Sequence, residues 1–128
     1  MKSPGQTVGN CGEDIACRFL AERGQSILER NWRHSHLEID IITLDGKGLH
    51  FVEVKSRRAP CSADPLSNIT PTKMRRIAAA ANSFLNTKGK TATYGTNLEV
   101  FFDVVTVVFH GDQTIIEYYP EAYTPTYL

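Results

Sequence analysis

The sequence has no net charge and no long apolar run. Its 128 residues include 14 basic and 14 acidic side chains, so the formal charge at pH 7 is zero. A zero total provides no overall attraction to nucleic acid, and any such binding must come from charge that is segregated onto one surface. No apolar run approaches the roughly 20 residues needed to cross a bilayer. Membrane insertion is therefore not expected.

Cysteine is also scarce. Cys11, Cys17 and Cys61 are odd in number and lack a Cys-x-x-Cys spacing, which argues against a disulfide framework. Residues 1–6 do not contain the apolar core of a secretory signal. We therefore expect a reduced, cytoplasmic protein. A length of 128 residues suits a single domain over residues 1–128, and such a domain buries roughly two thirds of its unfolded-chain surface.

Apolar periodicity and turn residues divide the chain into seven elements. Helices are predicted over residues 7–23, ending at Gly24, and over 70–88, where Thr70-Pro71 forms an N-cap and first turn. Strands are predicted over 27–33, 37–44, 49–55, 99–109 and 114–119, and an aperiodic loop over 59–68. The order α-β-β-β-α-β-β predicts an α/β sandwich around a central mixed sheet.

Charged residues lie within two strongly apolar strand segments, where sheet interiors normally exclude them. Glu38-Ile39-Asp40 belongs to the second predicted strand and Glu53-Val54-Lys55 to the third. Side chains alternate along a strand, so Glu38 and Asp40 share a face, and Glu53 and Lys55 share a face. The charges are therefore expected to form one block on the hairpin.

The turn decides which charges lie opposite each other. A four-residue loop 45–48, or a two-residue loop 46–47, places Asp40 opposite Glu53 and Glu38 opposite Lys55. A turn at Asp45-Gly46, a strong hairpin signal, places Glu38 opposite Glu53 instead. Directly opposed residues have Cβ atoms about 4.5–5.5 Å apart. In both registers, two carboxylates lie close enough to share a divalent cation.

These residue types suit phosphodiester hydrolysis, which requires charge neutralisation on the phosphate, a positioned water and help for the leaving oxygen. Asp40, Glu53 and Glu13, which lies at the edge of the buried face of the first helix, offer oxygen ligands for a hard cation. The backbone carbonyl of Val54 offers another, and Lys55 could hold the phosphate or stabilise negative charge. An exposed salt-bridged hairpin face is the structural alternative. Spacing alone does not choose between them.

Asp40, followed by Glu53-x-Lys55 and preceded by the helical Glu13, resembles the motif of the PD-(D/E)xK nuclease superfamily. Longer segments are similar to those of the bacterial YraN-type family across nearly the whole chain. Leu37 departs from that family, in which glycine usually precedes the acidic pair. The similar segments are Gly12-Glu13, residues 27–33, Glu38-Ile39-Asp40, residues 51–58, Thr70-Pro71 with Lys73, Arg75 and Arg76, and residues 102–105.

The resemblance implies a fold like that of restriction endonucleases and archaeal Holliday-junction resolvases. It implies a Mg²⁺- or Mn²⁺-dependent DNA endonuclease acting in repair or recombination, with Glu13, Asp40, Glu53 and Lys55 in the catalytic positions. It does not supply a substrate. A two-fold symmetric junction requires two active sites and hence a homodimer, whereas a nick or flap enzyme can act as a monomer. The alternative is a non-catalytic nucleic-acid- or partner-binding module that keeps the fold.

Basic residues follow the predicted site along the chain. Arg57 and Arg58 come directly after the third strand, and Lys73 and Arg76 open the second helix. A duplex backbone lying across this edge would contact them, although a solvated helix face explains the helix charges equally well. No predicted helix is rich in Asn, Gln and Arg, which favours recognition of DNA shape and backbone over base reading.

Overall fold

The computed structural model describes residues 8–61, 66, 69–91 and 99–124. Within these ranges, two helices and five strands follow each other in the predicted order. Residues 62–65 and 67–68, which form most of the predicted loop, lie outside the described residues. The elements are α1 (Val8–Glu22), β1 (Ser26–His34), β2 (Leu37–Leu44), β3 (Gly48–Arg58), α2 (Pro71–Thr91), β4 (Glu99–His110) and β5 (Gln113–Tyr123).

The five strands form one sheet with the spatial order β1-β2-β3-β4-β5. β3 and β4 are parallel, and the other neighbouring strands are antiparallel. Parallel neighbours need a crossover connection, and α2 lies in the chain between these two strands. The predicted fold class, an α/β sandwich around a central mixed sheet, is confirmed.

The two helices cover opposite faces of the sheet. Leu20 of α1 packs in a buried cluster with Val52 of β3. Phe84 of α2 packs in a second buried cluster with Phe51 of the same strand. Adjacent strand residues point to opposite faces, so the sheet separates the two clusters. β3 therefore lies at the centre of a three-layer α/β/α arrangement.

Neither described helix has both the length and the apolar character of a membrane span. α1 is 15 residues long, and the 21 residues of α2 include Lys73, Arg75 and Arg76.

Two strands, β3 and β5, continue well beyond their predicted C-terminal ends, whereas the other strand bounds differ from the prediction by one residue at most. β3 reaches Arg58 because it pairs with the parallel β4 along its whole length, and Arg58 itself lies opposite Phe109. β5 passes Pro120 and ends at Tyr123. β5 is an edge strand, where the missing N–H of a proline is tolerated. Pairing partners, rather than local propensity, therefore determine both strand ends.

β2 and β3 pair in one of the two registers that the sequence left open. Leu44 pairs with Leu49, and the N–H of Asp45 donates to the carbonyl of Gly48 at 3.1 Å. The two-residue loop is therefore Gly46-Lys47, not Asp45-Gly46. In this register Asp40 and Glu53 would form the next opposed pair, but the ladder ends one position earlier, at Ile41 and Val52.

α1 approaches β3 closely at Gly12. Gly12 is buried, and a Cβ at this position would lie 1.7 Å from Oγ and 2.8 Å from Cβ of Ser56. Any larger residue would therefore push the helix away from the strand. The close approach matters because Glu13, the next residue, is one of the predicted site residues.

Replacement of Gly12 by alanine should destabilise the protein, because the new methyl group collides with Ser56. Overpacking of this kind costs about 1–3 kcal/mol, and we expect a lower midpoint in chemical denaturation. Gly46→Ala is the matched control, since a Cβ at this exposed turn position would have nothing within 4 Å. A midpoint for Gly12→Ala equal to that of the wild type would show that the helix has room to move.

Candidate active site

The candidate site is a cleft at the point where β2 and β3 separate. The ladder between these strands has its last pair at Ile41 and Val52. Beyond that pair, Oδ2 of Asp40 accepts the backbone N–H of Val54 at 2.9 Å. A side chain thus replaces the backbone of β2 as the partner of β3. A cleft of about 250 Å³ lies at this position.

The cleft collects polar side chains from four elements. β2 contributes Glu38 and Asp40, β3 contributes Glu53, α2 contributes Lys73, and β5 contributes Tyr123. Two of the four predicted catalytic residues, Asp40 and Glu53, therefore lie on its wall. The apolar part of the wall consists of Ile39, Phe51, Val52 and Ile77.

The carboxyl group of Asp40 is strongly perturbed. Burial raises the pKa of Asp40 to about 7, from an ordinary value of 3.8. The hydrogen bond from Val54 opposes this shift, whereas the negative charges of Glu13, Glu53 and Glu38 add to it. All three carboxylates therefore lie near enough to Asp40 to act on it electrostatically. A cation placed among them would favour the ionised form.

Glu13 reaches this region because of the close approach of α1 to β3. Its side chain is half-buried, and its charge acts on Asp40. Glu13 does not belong to the wall of the cleft. α1 covers the face of the sheet opposite to α2, so Glu13 approaches Asp40 from the other helical layer.

Glu53 is paired with a cation from α2. Its Oε1 forms an ion pair with Nζ of Lys73, and the Glu53 side chain is only 14% exposed. Its second oxygen, Oε2, is buried and has no hydrogen-bond partner within the described part of the chain. A buried carboxylate oxygen without a partner is unfavourable. Oε2 is therefore a group that a bound cation or donor would stabilise.

Lys55 lies deeper than the carboxylates. It is 6% exposed and lies opposite Thr106 of the parallel strand β4. Alternation along β3 places it on the same face as Glu53, but it is not part of the cleft wall. Lys55 is therefore a largely buried basic residue, not an exposed surface cation.

The oxygen atoms near the cleft are of the type that a hard divalent cation prefers as ligands. Asp40, Glu53 and Glu13 offer the carboxylate oxygens that Mg²⁺ and Mn²⁺ prefer. The carbonyl of Val54 points to the same strand edge as its N–H, which meets Asp40. Among the described residues, no three Asp, Glu, His or Cys side chains converge into a ready ligand group. Glu53 is instead engaged with Lys73.

Tyr123 is the wall residue that sequence reasoning missed. It lies opposite Phe102 and packs against the same cluster as α2. Its hydroxyl is buried and has no hydrogen-bond partner among the described residues. The sequence offers no signal for this placement, because regular alternation is interrupted between Pro120 and Tyr123.

The interruption depends on Asp103. The β4–β5 ladder shifts its register beside this residue, and Glu121 adopts a φ of 51°. The fully buried Asp103 carboxylate accepts the N–H of Glu121 at 2.9 Å and the O–H of Tyr118. Asp103 therefore holds the irregular segment of β5 that places Tyr123 at the cleft.

The four basic residues predicted to contact phosphates lie in two places. Lys73 and Arg76 line a second depression of about 380 Å³, which adjoins the cleft and shares part of its wall. Arg57 and Arg58 are exposed at the end of β3 and line neither depression. Lys73 and Arg76 therefore continue the cleft along α2, and the two arginines form a separate basic edge.

Sequence comparisons show that the chain is similar to a family of bacterial proteins. A model of the uncharacterised protein family UPF0102 matches residues 12–107. A UPF0102 protein of Rhodococcus jostii (strain RHA1) is 39% identical over 117 residues, covering 91% of this chain and 95% of the relative. One of Anaeromyxobacter dehalogenans (strain 2CP-C) is 38% identical over 118 residues, covering 92% and 84%. One of Clostridium perfringens (strain 13 / Type A) is 38% identical over 117 residues, covering 91% and 92%.

The raised pKa of Asp40 predicts how stability changes with pH. Its folded value, about 7, exceeds the ordinary value of 3.8, so between these limits the folded state holds a proton that the unfolded state loses. Stability should therefore fall as pH rises from about 4 to about 7, by a few kcal/mol at most. Asp40→Asn keeps an acceptor for Val54 and carries no charge to bury.

In EDTA, we expect Asp40→Asn to melt above the wild type at pH 8, with a difference that shrinks toward pH 5. Thermal denaturation at several pH values measures this directly. Asp112→Asn changes an exposed turn carboxylate and serves as the control, with a small difference at every pH. A difference between Asp40→Asn and the wild type that does not change with pH would contradict the raised pKa.

Proposed function

This chain belongs to the protein family UPF0102, and we propose that it is a divalent-cation-dependent endonuclease that hydrolyses phosphodiester bonds in DNA. The observation that carries the proposal is the gap between β2 and β3, in which the carboxylates of Asp40 and Glu53 line one cleft. Gathering like charges in a half-buried place is unfavourable. A cationic ligand would offset this penalty.

The cation would be Mg²⁺ or Mn²⁺, held by Asp40, Glu53, Glu13 and the backbone carbonyl of Val54. When bound, such an ion neutralises charge on the phosphate and activates a water molecule. Its charge would also oppose the burial and the carboxylate repulsion that together raise the pKa of Asp40. Ionisation of Asp40 and binding of the ion therefore favour each other.

Lys55 would act on the phosphate as negative charge develops on its oxygens. Its side chain shares the face of Glu53, and the residue is 6% exposed. Charge interactions are stronger in such a dehydrated place than in water.

The DNA backbone would lie along the N-terminal end of α2. Lys73 and Arg76 line the depression that continues the cleft, and Arg57 and Arg58 would meet more distant phosphates. Since the net charge is zero, this basic edge must supply the electrostatic attraction. Contacts to the DNA backbone favour recognition of DNA structure over recognition of a base sequence. The proposed substrates are therefore structured or branched DNAs of repair or recombination. A two-fold symmetric junction would require a homodimer.

A non-catalytic module that binds nucleic acid or a protein partner is the second candidate. The observation that favours it is the ion pair between Glu53 and Lys73, which already neutralises one proposed metal ligand. The described carboxylates also do not converge on one point. Such a module would bind DNA through the same basic residues without cutting it.

The deciding experiment incubates the protein with labelled duplex, flap, single-stranded and four-way-junction DNA in Mn²⁺ or in EDTA. We expect cutting in Mn²⁺ only, reduced at least about 100-fold by Asp40→Asn or Lys55→Met, because each change removes a charge that the reaction needs. Lys47→Met alters an exposed lysine of the β2–β3 turn and should cut normally. DNA binding without cutting in every condition would favour the non-catalytic module.

Salt dependence of DNA binding separates phosphate contacts from solvated charges. Arg76→Ala should weaken binding and reduce the slope of log K against log salt by about 0.9, the value for one lost phosphate contact. Arg75→Ala is the matched control, because Arg75 is exposed on the same helix and lines neither depression. Equal slopes for Arg76→Ala and the wild type would remove Arg76 from the DNA path.

A further inference from the structure

Tyr123 has an unused hydrogen-bond donor at the wall of the cleft. Its hydroxyl is buried and has no partner among the described residues, although buried tyrosine hydroxyls usually have one. Burial, with the negative charges of Glu53, Asp103 and Asp40, raises the pKa of the phenol. The O–H group therefore keeps its proton and remains a donor at physiological pH.

The other polar side chains of the wall are mostly acceptors. Glu38, Asp40 and Glu53 accept hydrogen bonds when ionised, whereas Lys73 and Tyr123 are the donor side chains of the described wall. The ammonium group of Lys73 is engaged with Glu53. A phosphodiester presents only acceptor atoms. The phenol of Tyr123 therefore matches it, and the carboxylates do not.

The fold holds the phenol ring in place before any ligand binds. The rings of Tyr123 and Phe102 lie against each other with centroids 5.7 Å apart. The bond from the N–H of Glu121 to Asp103, at 2.9 Å, secures the irregular segment that precedes Tyr123. A donor on such a rigid element loses little freedom when it binds.

We propose that Tyr123 is a substrate-contacting residue whose O–H donates a hydrogen bond to a phosphoryl oxygen of the bound DNA strand. The inference rests on the proposed function, because it requires a phosphodiester to occupy the cleft. The phenol is uncharged, so its hydrogen bond would orient the phosphate without adding positive charge to the cleft. In this respect Tyr123 differs from Lys73 and Arg76, which act through their charge. It also lies beyond residues 12–107, the segment matched by the family.

Tyr123→Phe tests the proposal, because it removes the hydroxyl and keeps the ring. We expect about tenfold weaker binding, the usual loss for a hydrogen bond to a charged group, measured by fluorescence anisotropy with labelled duplex and junction DNA in Ca²⁺. The salt slope should not change, because no charge is removed. The melting temperature should not fall, because the hydroxyl has no partner among the described residues to lose.

Tyr119→Phe is the matched control. Tyr119 lies on the same strand, and its hydroxyl donates to Glu117 at 2.7 Å. It is not part of the cleft wall. Its loss should leave DNA affinity at the wild-type value, so a decrease seen in both variants would indicate a general effect on β5 and overturn the specific role of Tyr123.

The outcomes separate this inference from the proposed function. Wild-type affinity in Tyr123→Phe overturns the phosphate contact and leaves the nuclease proposal in place. A lower melting temperature with wild-type affinity assigns the hydroxyl to a structural bond and likewise overturns it. Weaker binding by Tyr123→Phe in a protein that cuts no DNA supports the contact and removes the nuclease. If the wild type binds none of the DNAs, both fall.

Discussion

The cleft depends on one hydrogen bond, from the backbone N–H of Val54 to the carboxylate of Asp40. A backbone N–H within a sheet must find a partner, and the neighbouring strand normally supplies it. Here a side chain supplies it, so β2 and β3 can separate after the pair Ile41 and Val52 without leaving Val54 unsatisfied. As a consequence, the carboxyl group of Asp40 is half-buried. This burial raises its pKa to about 7.

The charges around this opening balance each other through groups from both helical layers. α1 brings Glu13 near Asp40, because Gly12 lets the helix approach β3. α2 brings Lys73 to Glu53, and β3 itself carries the buried Lys55. In the protein without ligand, the ammonium group of Lys73 thus offsets part of the carboxylate charge. In the proposed chemistry, a divalent cation bound by Glu53 would compete with Lys73 for that carboxylate, and the released ammonium group would be available to a phosphate.

Much of the fold was predictable, because its signals are local. Helical and alternating periodicities identified all seven elements, and the boundaries of β2 were predicted without error. The sequence left two registers open for the β2–β3 hairpin, and these differ in which residues form the turn. The backbone hydrogen bond between Asp45 and Gly48 shows that the loop is Gly46-Lys47. The C-terminal ends of β3 and β5 were not predictable. β3 extends to Arg58 because β4 pairs with it along that length. The presence of a pairing strand cannot be inferred from the local alternation of polar and apolar residues.

The sequence by itself determined the α-β-β-β-α-β-β order and the placement of Asp40, Glu53 and Lys55 on adjacent strands, because alternation and turn chemistry act over a few residues. Only the tertiary structure decided the pairing of Lys73 with Glu53 and the placement of Tyr123 on the cleft wall. The first depends on where a crossover helix packs across the sheet. The second depends on a register shift beside a buried carboxylate. Both arise from contacts between distant segments, which no local periodicity encodes.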